Sequence, residues 1–219
     1  CVICQKKDYF CNMKALKQFG IVPINVGVLE TLFTSYKHPQ KKITNLEQKG
    51  SLIRLKKGLY VVSSTVSERL LSVELIANHL YGPSYVSMQT ALRHYGLIPE
   101  TVHTTTSLTF KASKLYENSI GRFEYIHCAS NYYPIGIRQV VEDDYAYLIA
   151  SPEKALCDLI VYTPRLRLRF VKNVETYLEE DIRLDMDEFY KMDEAIFEQC
   201  AYVSKKKTEI NNLIKLLKQ

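Results

Sequence analysis

The sequence predicts an α+β chain: a small helical head ending in a basic β-hairpin, a larger α/β body with a mixed or antiparallel sheet, and a helical tail. Three observations carry this. Short helix-prone segments punctuated by Gly or Pro fill residues 13–50, a hairpin signature follows at 51–63, and β-rich segments then alternate with helical periodicity.

The head reads element by element. Residues 13–19, MKALKQF, are helix-prone and Gly20 is a natural stop. Asn25 is placed to cap a second helix through Tyr36, with Val28, Leu29, Leu32 and Phe33 on one face. Pro39 suits the first turn of a third helix that Gly50 ends, with Ile43 and Leu46 pointing inward. SLIRLKKGLYVVS then reads as two short strands around a Lys-Lys-Gly turn. Three helices followed by a basic hairpin is the order of a winged helix-turn-helix, which assigns residues 13–65 to that unit and leaves residues 1–12 as an N-terminal extension.

Residues 66–219 form the expected body. STVSERLL (64–71) is a connector, and without a Gly/Ser-rich linker the two parts are expected to sit close together. Segments 72–80 and 85–95 read as helices joined at Gly-Pro-Ser, with Gly96 ending the second. VHTTTSLTF (102–110), RFEYIHC (122–128) and YAYLIA (145–150) read as strands. Ser151 and Pro152 open a helix whose stripe is Ala155, Leu156, Leu159 and Ile160. From about residue 171 the pattern is helical, and the last segment buries Ile210, Leu213, Ile214 and Leu217.

Charge separates the parts. Residues 13–65 carry nine Lys or Arg against Glu30 and Glu47, a balance of +7, whereas residues 66–219 carry −3 and the tract 175–198 alone carries −8. A basic head on an acidic body points to a polyanion for the head and a different partner for the body. On a helical wheel, Lys41, Thr44, Asn45 and Gln48 lie opposite Ile43 and Leu46, flanked by Lys42 and Lys49. Asn and Gln can pair with adenine, Thr can touch base edges, and Lys neutralises phosphate. Arg54, Lys56 and Lys57 on the hairpin are placed to meet an adjacent backbone or minor groove, so these nine residues are the expected double-stranded DNA contacts.

No catalytic set stands out. Glu153 and Asp158 are five apart and off one helical face, the histidines at 79, 94, 103 and 127 lack metal-motif spacing, and no phosphate loop or nucleophile elbow is present. His79 and His94 end helices, where a cation is favoured. The Cys1, Cys4 and Cys11 group resembles part of a zinc site, but structural zinc takes four ligands and His38 is distant, so free thiols are expected. No enzyme, metal or cofactor is therefore expected. The first residues lack the apolar core of a secretory signal and no run nears eighteen apolar residues, so a cytoplasmic chain without a membrane span is expected.

Three strings resemble a known family. GSLIRLKKGLYVV (50–62), GPSYVSMQTALRHYGLIPE (82–100) and ASPEKALCDLIVY (150–162) are similar, in order and spacing, to the AbiEi-type antitoxins of type IV toxin–antitoxin systems, over roughly residues 13–165. The resemblance implies a bacterial transcriptional repressor that binds inverted repeats in its own promoter and counteracts a nucleotidyltransferase-like toxin. It puts DNA contact on the helix at Lys41–Lys49 and the wing at Arg54–Lys57. The later strings read as structural: Gly82 and Pro83 shape a turn, Ser84 caps the next helix, and Ala91, Leu92, Ala155 and Leu156 pack. Beyond the strings, the acidic tract is either a solvated face or a surface for a basic partner, and Arg165, Arg167, Arg169 and Lys172 either pair with it or extend the DNA contact. The alternative is a stand-alone transcription factor whose body senses a small molecule in an apolar pocket.

Overall fold

The computed structural model describes residues 13–219, so the expected extension 1–12, with Cys1, Cys4 and Cys11, lies outside the described residues. The head begins with helix α1 (residues 13–17), a short strand β1 (Ile24–Asn25), and helices α2 (Val26–Leu32) and α3 (Pro39–Gln48). The hairpin follows as β2 (Leu52–Lys56) and β3 (Leu59–Val62), and the three strands form an antiparallel sheet in the order β1-β3-β2. Asn25 is extended and makes no side-chain cap, and α2 stops at Leu32 rather than reaching Tyr36. Leu29 and Phe33 are buried as expected, but Val28, about 100° around the helix from Leu29, stands exposed. Pro39 opens α3, and Gly50 follows it with φ +71°.

Strand β3 explains how head and body join. Tyr60 and Val62 pack with Leu16, Leu29, Phe33, Ile43, Leu46 and Leu52 in the head core, while Leu59 and Val61, with Leu55, belong to the body core. Alternate side chains of a strand point to opposite faces, so burying all four residues of β3 requires a hydrophobic layer on each side. The hairpin is thus a wall shared by two cores. Asn118 reinforces the seam, donating from Nδ2 to the Leu55 carbonyl at 3.1 Å.

The body follows helix α4 (Ser64–Ser67) and helix α5 (Val73–Leu80), the latter capped by Ser72 accepting from the Leu75 amide. Its sheet contains β4 (Tyr85–Val86), β5 (Thr104–Thr109), β6 (Lys114–Glu117), β7 (Arg122–His127), β8 (Ile137–Val141) and β9 (Ala146–Ala150), in the order β6-β7-β5-β4-β9-β8. β5 runs parallel to β7 and β4 parallel to β9, and the remaining pairs are antiparallel, so the sheet is mixed. The expected helix 85–95 is in fact β4 followed by α6 (Met88–His94). Tyr85 and Val86 pair with Leu108 and Ser107, so strand partners outweigh the local helical pattern there. Ser84 does not cap α6: it is buried, and its Oγ has no hydrogen-bond partner among the described residues.

Helix α7 (Pro152–Tyr162) starts at Ser151, whose Oγ accepts from the Lys154 amide. The expected one-sided stripe is corrected here, since every residue from Glu153 to Ile160 is buried. Helix α7 is covered by α6 and β9 and by the helical tail. That tail comprises α8 (Val171–Thr176), a π-type turn at Tyr177–Asp181, α9 (Met186–Phe189), α10 (Glu194–Val203) and α11 (Lys207–Leu217). In α11, Ile210, Leu213 and Leu216 are buried, while Ile214 and Leu217 are only partly so. Lys206 Nζ donates to the carbonyls of Ile160, Thr163 and Leu166, a cation placed at the carbonyl end of α7.

Candidate nucleic-acid interface

Helix α3 presents a polar outer face because its apolar residues are few and correctly spaced. Ile43 and Leu46 are buried, which turns Lys41, Thr44, Asn45, Gln48 and Lys49 outward, with Lys42 partly covered. Lys42 Nζ lies 4.7 Å from the centre of the Tyr36 ring, which holds its charge at the helix edge. Thr44 Oγ1 donates to the Gln40 carbonyl at 3.0 Å, leaving its methyl group and its oxygen lone pairs facing outward. Asn45 and Gln48, exposed one turn apart, are the pair with both donor and acceptor groups suited to base edges.

The three hairpin cations fare differently. Lys57 is exposed at the turn. Arg54 is exposed but donates to Glu47 Oε2 at 2.9 Å and lies 5.6 Å from the Tyr60 ring centre, so the hairpin and α3 are pinned together across their edge. Lys56 turns toward the body. Its Nζ donates to the Leu80 carbonyl at 2.5 Å and sits 5.7 Å from the Tyr116 ring centre, and the backbone irregularity between Arg54 and Lys56 accompanies this change of direction. Burial first, and then the neighbouring Lys114 and Lys111, push its ammonium below the ordinary lysine range. The expected nine-residue set therefore divides into an outward α3 face with Lys57, a pinned Arg54, and a Lys56 that belongs to a second basic cluster.

Sequence reasoning missed two groups in the body. One is the pair Lys111 and Lys114, exposed beside Lys56. The other is a closed polar network on α7, where Lys154 and Asp158 are both fully buried with Nζ and Oδ1 3.2 Å apart. Lys154 also donates to the Tyr132 carbonyl at 3.0 Å and packs on the Tyr132 ring, while Tyr85 and Ser87 donate to Asp158 Oδ2 at 3.1 and 2.6 Å. Burial pushes the Asp158 carboxyl up, and Lys154 and Ser87 pull it back. Sealed from solvent, this network serves the fold. Glu153 is separate, accepting from the Asp193 amide, so no carboxylate pair forms with Asp158.

On the sheet face bearing Thr104, Thr106 and Glu124 lies an open cleft of about 510 Å³, lined also by Gln89 and His103. The acidic tract is largely at the surface, with Asp185 and Asp193 capping α9 and α10 and with Lys191 and Lys218 paired to Glu188 and Glu194. Among the described residues no ion pair joins Arg165, Arg167, Arg169 or Lys172 to it. Also among the described residues, no cluster of three His, Cys, Asp or Glu is placed to hold a metal, and no helix is long and apolar enough to cross a membrane. No family model matches the chain, and no curated protein matches it in sequence.

Proposed function

We propose that the chain is a sequence-selective DNA-binding regulator whose head works as a winged helix-turn-helix and whose body binds a partner protein. The observation that carries this is the outer face of α3, where Lys41, Thr44, Asn45, Gln48 and Lys49 stand exposed over the buried Ile43 and Leu46, beside a hairpin with Lys57 at its tip. In this reading Asn45 and Gln48 meet base edges, and Lys41, Lys42, Lys49 and Lys57 meet phosphates. The resemblance to AbiEi-type antitoxins makes the body the part that counteracts a toxin, without catalysis of its own, in the cytoplasm. Exposed acids of the tract beside the exposed Tyr190 and Tyr202 support a basic protein partner.

The test is binding to the duplex upstream of the chain's own gene against a scrambled duplex, at several salt concentrations. Four phosphate contacts set a slope of log K against log salt of about −3.6. Changing Lys41 and Asn45 together to Ala is expected to reduce the preference for the upstream duplex by about 5- to 150-fold, since one good base contact is worth about 1–3 kcal/mol. Equal binding of both duplexes by the wild type would sink the assignment. The second reading, a ligand-sensing body, draws on the cleft beside Thr104 and Glu124. Its lining mixes polar residues with Met88, Val102, Ile126 and Leu159, and its open shape fits a small-molecule sensor less well than an enclosed pocket does.

A further inference from the structure

Helices α7 and α10 pack side by side with their residues in step. Glu153 Oε1, in the first turn of α7, accepts at 3.2 Å from the amide of Asp193, the N-cap of α10. Farther along, a Cβ placed at Gly136 would stand 2.8 Å from Lys154 Cβ and 3.1 Å from Ile196 Cγ2, so those two side chains meet over one point. One more turn along each helix brings Cys157, beyond Lys154, to face Cys200, beyond Ile196. Both cysteines are fully buried in one core, and their thiols are in hydrogen-bonding contact.

The surroundings make the two sulfurs unequal. Cys157 donates to Cys200, and that bond, with the Lys154 ammonium, holds the Cys200 thiol below its ordinary range in spite of burial. Burial first, and then the same bond, push the Cys157 thiol up. Cys200 is therefore the readier thiolate and Cys157 the neighbour that keeps its proton. The Tyr132 hydroxyl, buried beside Asp158 and Cys200, completes a well-formed hydrogen bond with neither, which leaves an O–H donor at the sulfur. Cover is thin on one side. Helix α10 turns Ala195, Glu198, Gln199 and Tyr202 to solvent, so there a single helix separates Cys200 from water, and local opening of one surface helix costs less than unfolding.

We propose that Cys157 and Cys200 form a reversible dithiol–disulfide site whose oxidant is a small peroxide. The Cys200 thiolate attacks one peroxide oxygen, the O–O bond breaks, and the departing hydroxide takes up the proton that the thiol released. The Cys157 sulfur then attacks the resulting sulfenic acid. The S–S bond forms, the S–O bond breaks, and the Cys157 proton leaves with that hydroxide as water. Two thiols and one hydrogen peroxide become one disulfide and two waters, with two electrons passing from the sulfurs to the peroxide oxygens. A reducing dithiol restores both thiols by exchange. In a reducing compartment the pair rests as thiols, and a disulfide there is transient and redox-sensing. The loop that the bond closes runs from 157 to 200 and contains the whole tract 175–198, so oxidation ties both ends of the acidic tract to the body core.

The experiment treats the folded, fully reduced full-length chain with a small molar excess of hydrogen peroxide. Remaining thiols are then alkylated in urea and the peptides mapped by mass spectrometry without reduction. The expected product is a cross-linked peptide joining Cys157 to Cys200, abolished by dithiothreitol, while Cys128, the other buried thiol among the described residues, is recovered alkylated. The oxidised chain should melt about 8–16 °C above the reduced one, the worth of closing a loop of this length. Cys157→Ala and Cys200→Ala should lose both the cross-link and the shift. The shift is read between oxidised and reduced forms of the same variant, so a cavity left by the substitution cancels. Recovery of both Cys157 and Cys200 as alkylated thiols would overturn the proposal. So would a cross-link from either one to a different cysteine, or oxidation of the pair no faster than that of Cys128.

Discussion

Replacing Lys154 with Met tests how far the body depends on its sealed charge pair. Met fills most of the same space but removes the ammonium from Asp158, the hydrogen bond to the Tyr132 carbonyl and the contact with the Tyr132 ring. Asp158 is then left with the Tyr85 and Ser87 hydroxyls and no counter-charge. A buried pair broken on one side costs about 3–5 kcal/mol. A second route gives a similar figure. If the orphaned carboxyl instead takes up a proton, holding it neutral at about pH 7 against its ordinary value of 3.8 costs about 4 kcal/mol. In a chain of this size that corresponds to a fall in Tm of about 8–16 °C. The proton route also fixes the pH dependence. The folded variant then holds a proton that its unfolded chain releases above 3.8, so its stability is greatest at low pH and drains away as pH rises. Relative to wild type, whose Asp158 is itself held above its ordinary value by burial, the deficit should shrink as pH falls from about 7, by at most about 1.4 kcal/mol per pH unit. Urea unfolding followed by circular dichroism at several pH values measures both quantities. Adding Asp158→Asn should recover most of the loss and remove the pH slope, because Asn still accepts from Ser87 and Tyr85 without a charge. A single-variant cost below about 1 kcal/mol, or a deficit that does not change with pH, would refute the reasoning.

Two further outcomes follow from particular contacts. Glu47→Gln releases Arg54 and removes an acid from the edge of α3, so DNA affinity should rise about fivefold at about 0.15 M salt, the worth of one phosphate contact, with stability unchanged within about 1 kcal/mol. Unchanged or weaker binding by fluorescence anisotropy would show that Arg54 does not reach DNA. Gly136→Ala places a Cβ 2.8 Å from Lys154 Cβ and 3.1 Å from Ile196 Cγ2 at φ +60°, and should cost about 2–5 kcal/mol in urea unfolding. Gly50→Ala, at φ +71° with nothing within 4 Å, should cost only the backbone share of about 1–2 kcal/mol, and equal losses at both sites would contradict the packing account.

The parts of this fold legible in the sequence are those whose burial follows a local pattern. Ile43 and Leu46 define the face of α3 without help from the rest of the chain, and the Lys-Lys-Gly turn marks the hairpin. The mixed sheet and the helical tail were likewise legible as classes of structure. The edge strands β6 and β8 were not. Both are mostly exposed, and their pairing with β7 and β9 rather than an alternating apolar pattern makes them strands. Lys154 and Asp158 stand four apart on a helix, the spacing of an ordinary surface ion pair, so only the tyrosines and serine arriving from distant segments reveal their burial. The apolar run Leu59–Val62 did carry a signal, since four buried residues in succession on a strand demand cover on both faces. The basic cluster left a fainter trace, a stretch from 101 to 116 with two lysines and no acid.

The shared wall limits how the body can influence the head. A partner that altered DNA binding by hinging the head away would have to uncover Leu55, Leu59 and Val61, at about 1.5–3 kcal/mol each, and also break the Asn118 bond to the Leu55 carbonyl. That sum approaches the whole stability of a typical domain. Lys57 at the hairpin tip and Lys111 and Lys114 on the body therefore keep a fixed spacing. Control of DNA binding by a partner then has a cheaper route through charge than through motion. A basic protein drawn to the acidic tail would change the field around the chain and occupy surface beside it, and would leave the seam intact. Such control would weaken with added salt, whereas a hinge governed by apolar contacts would not.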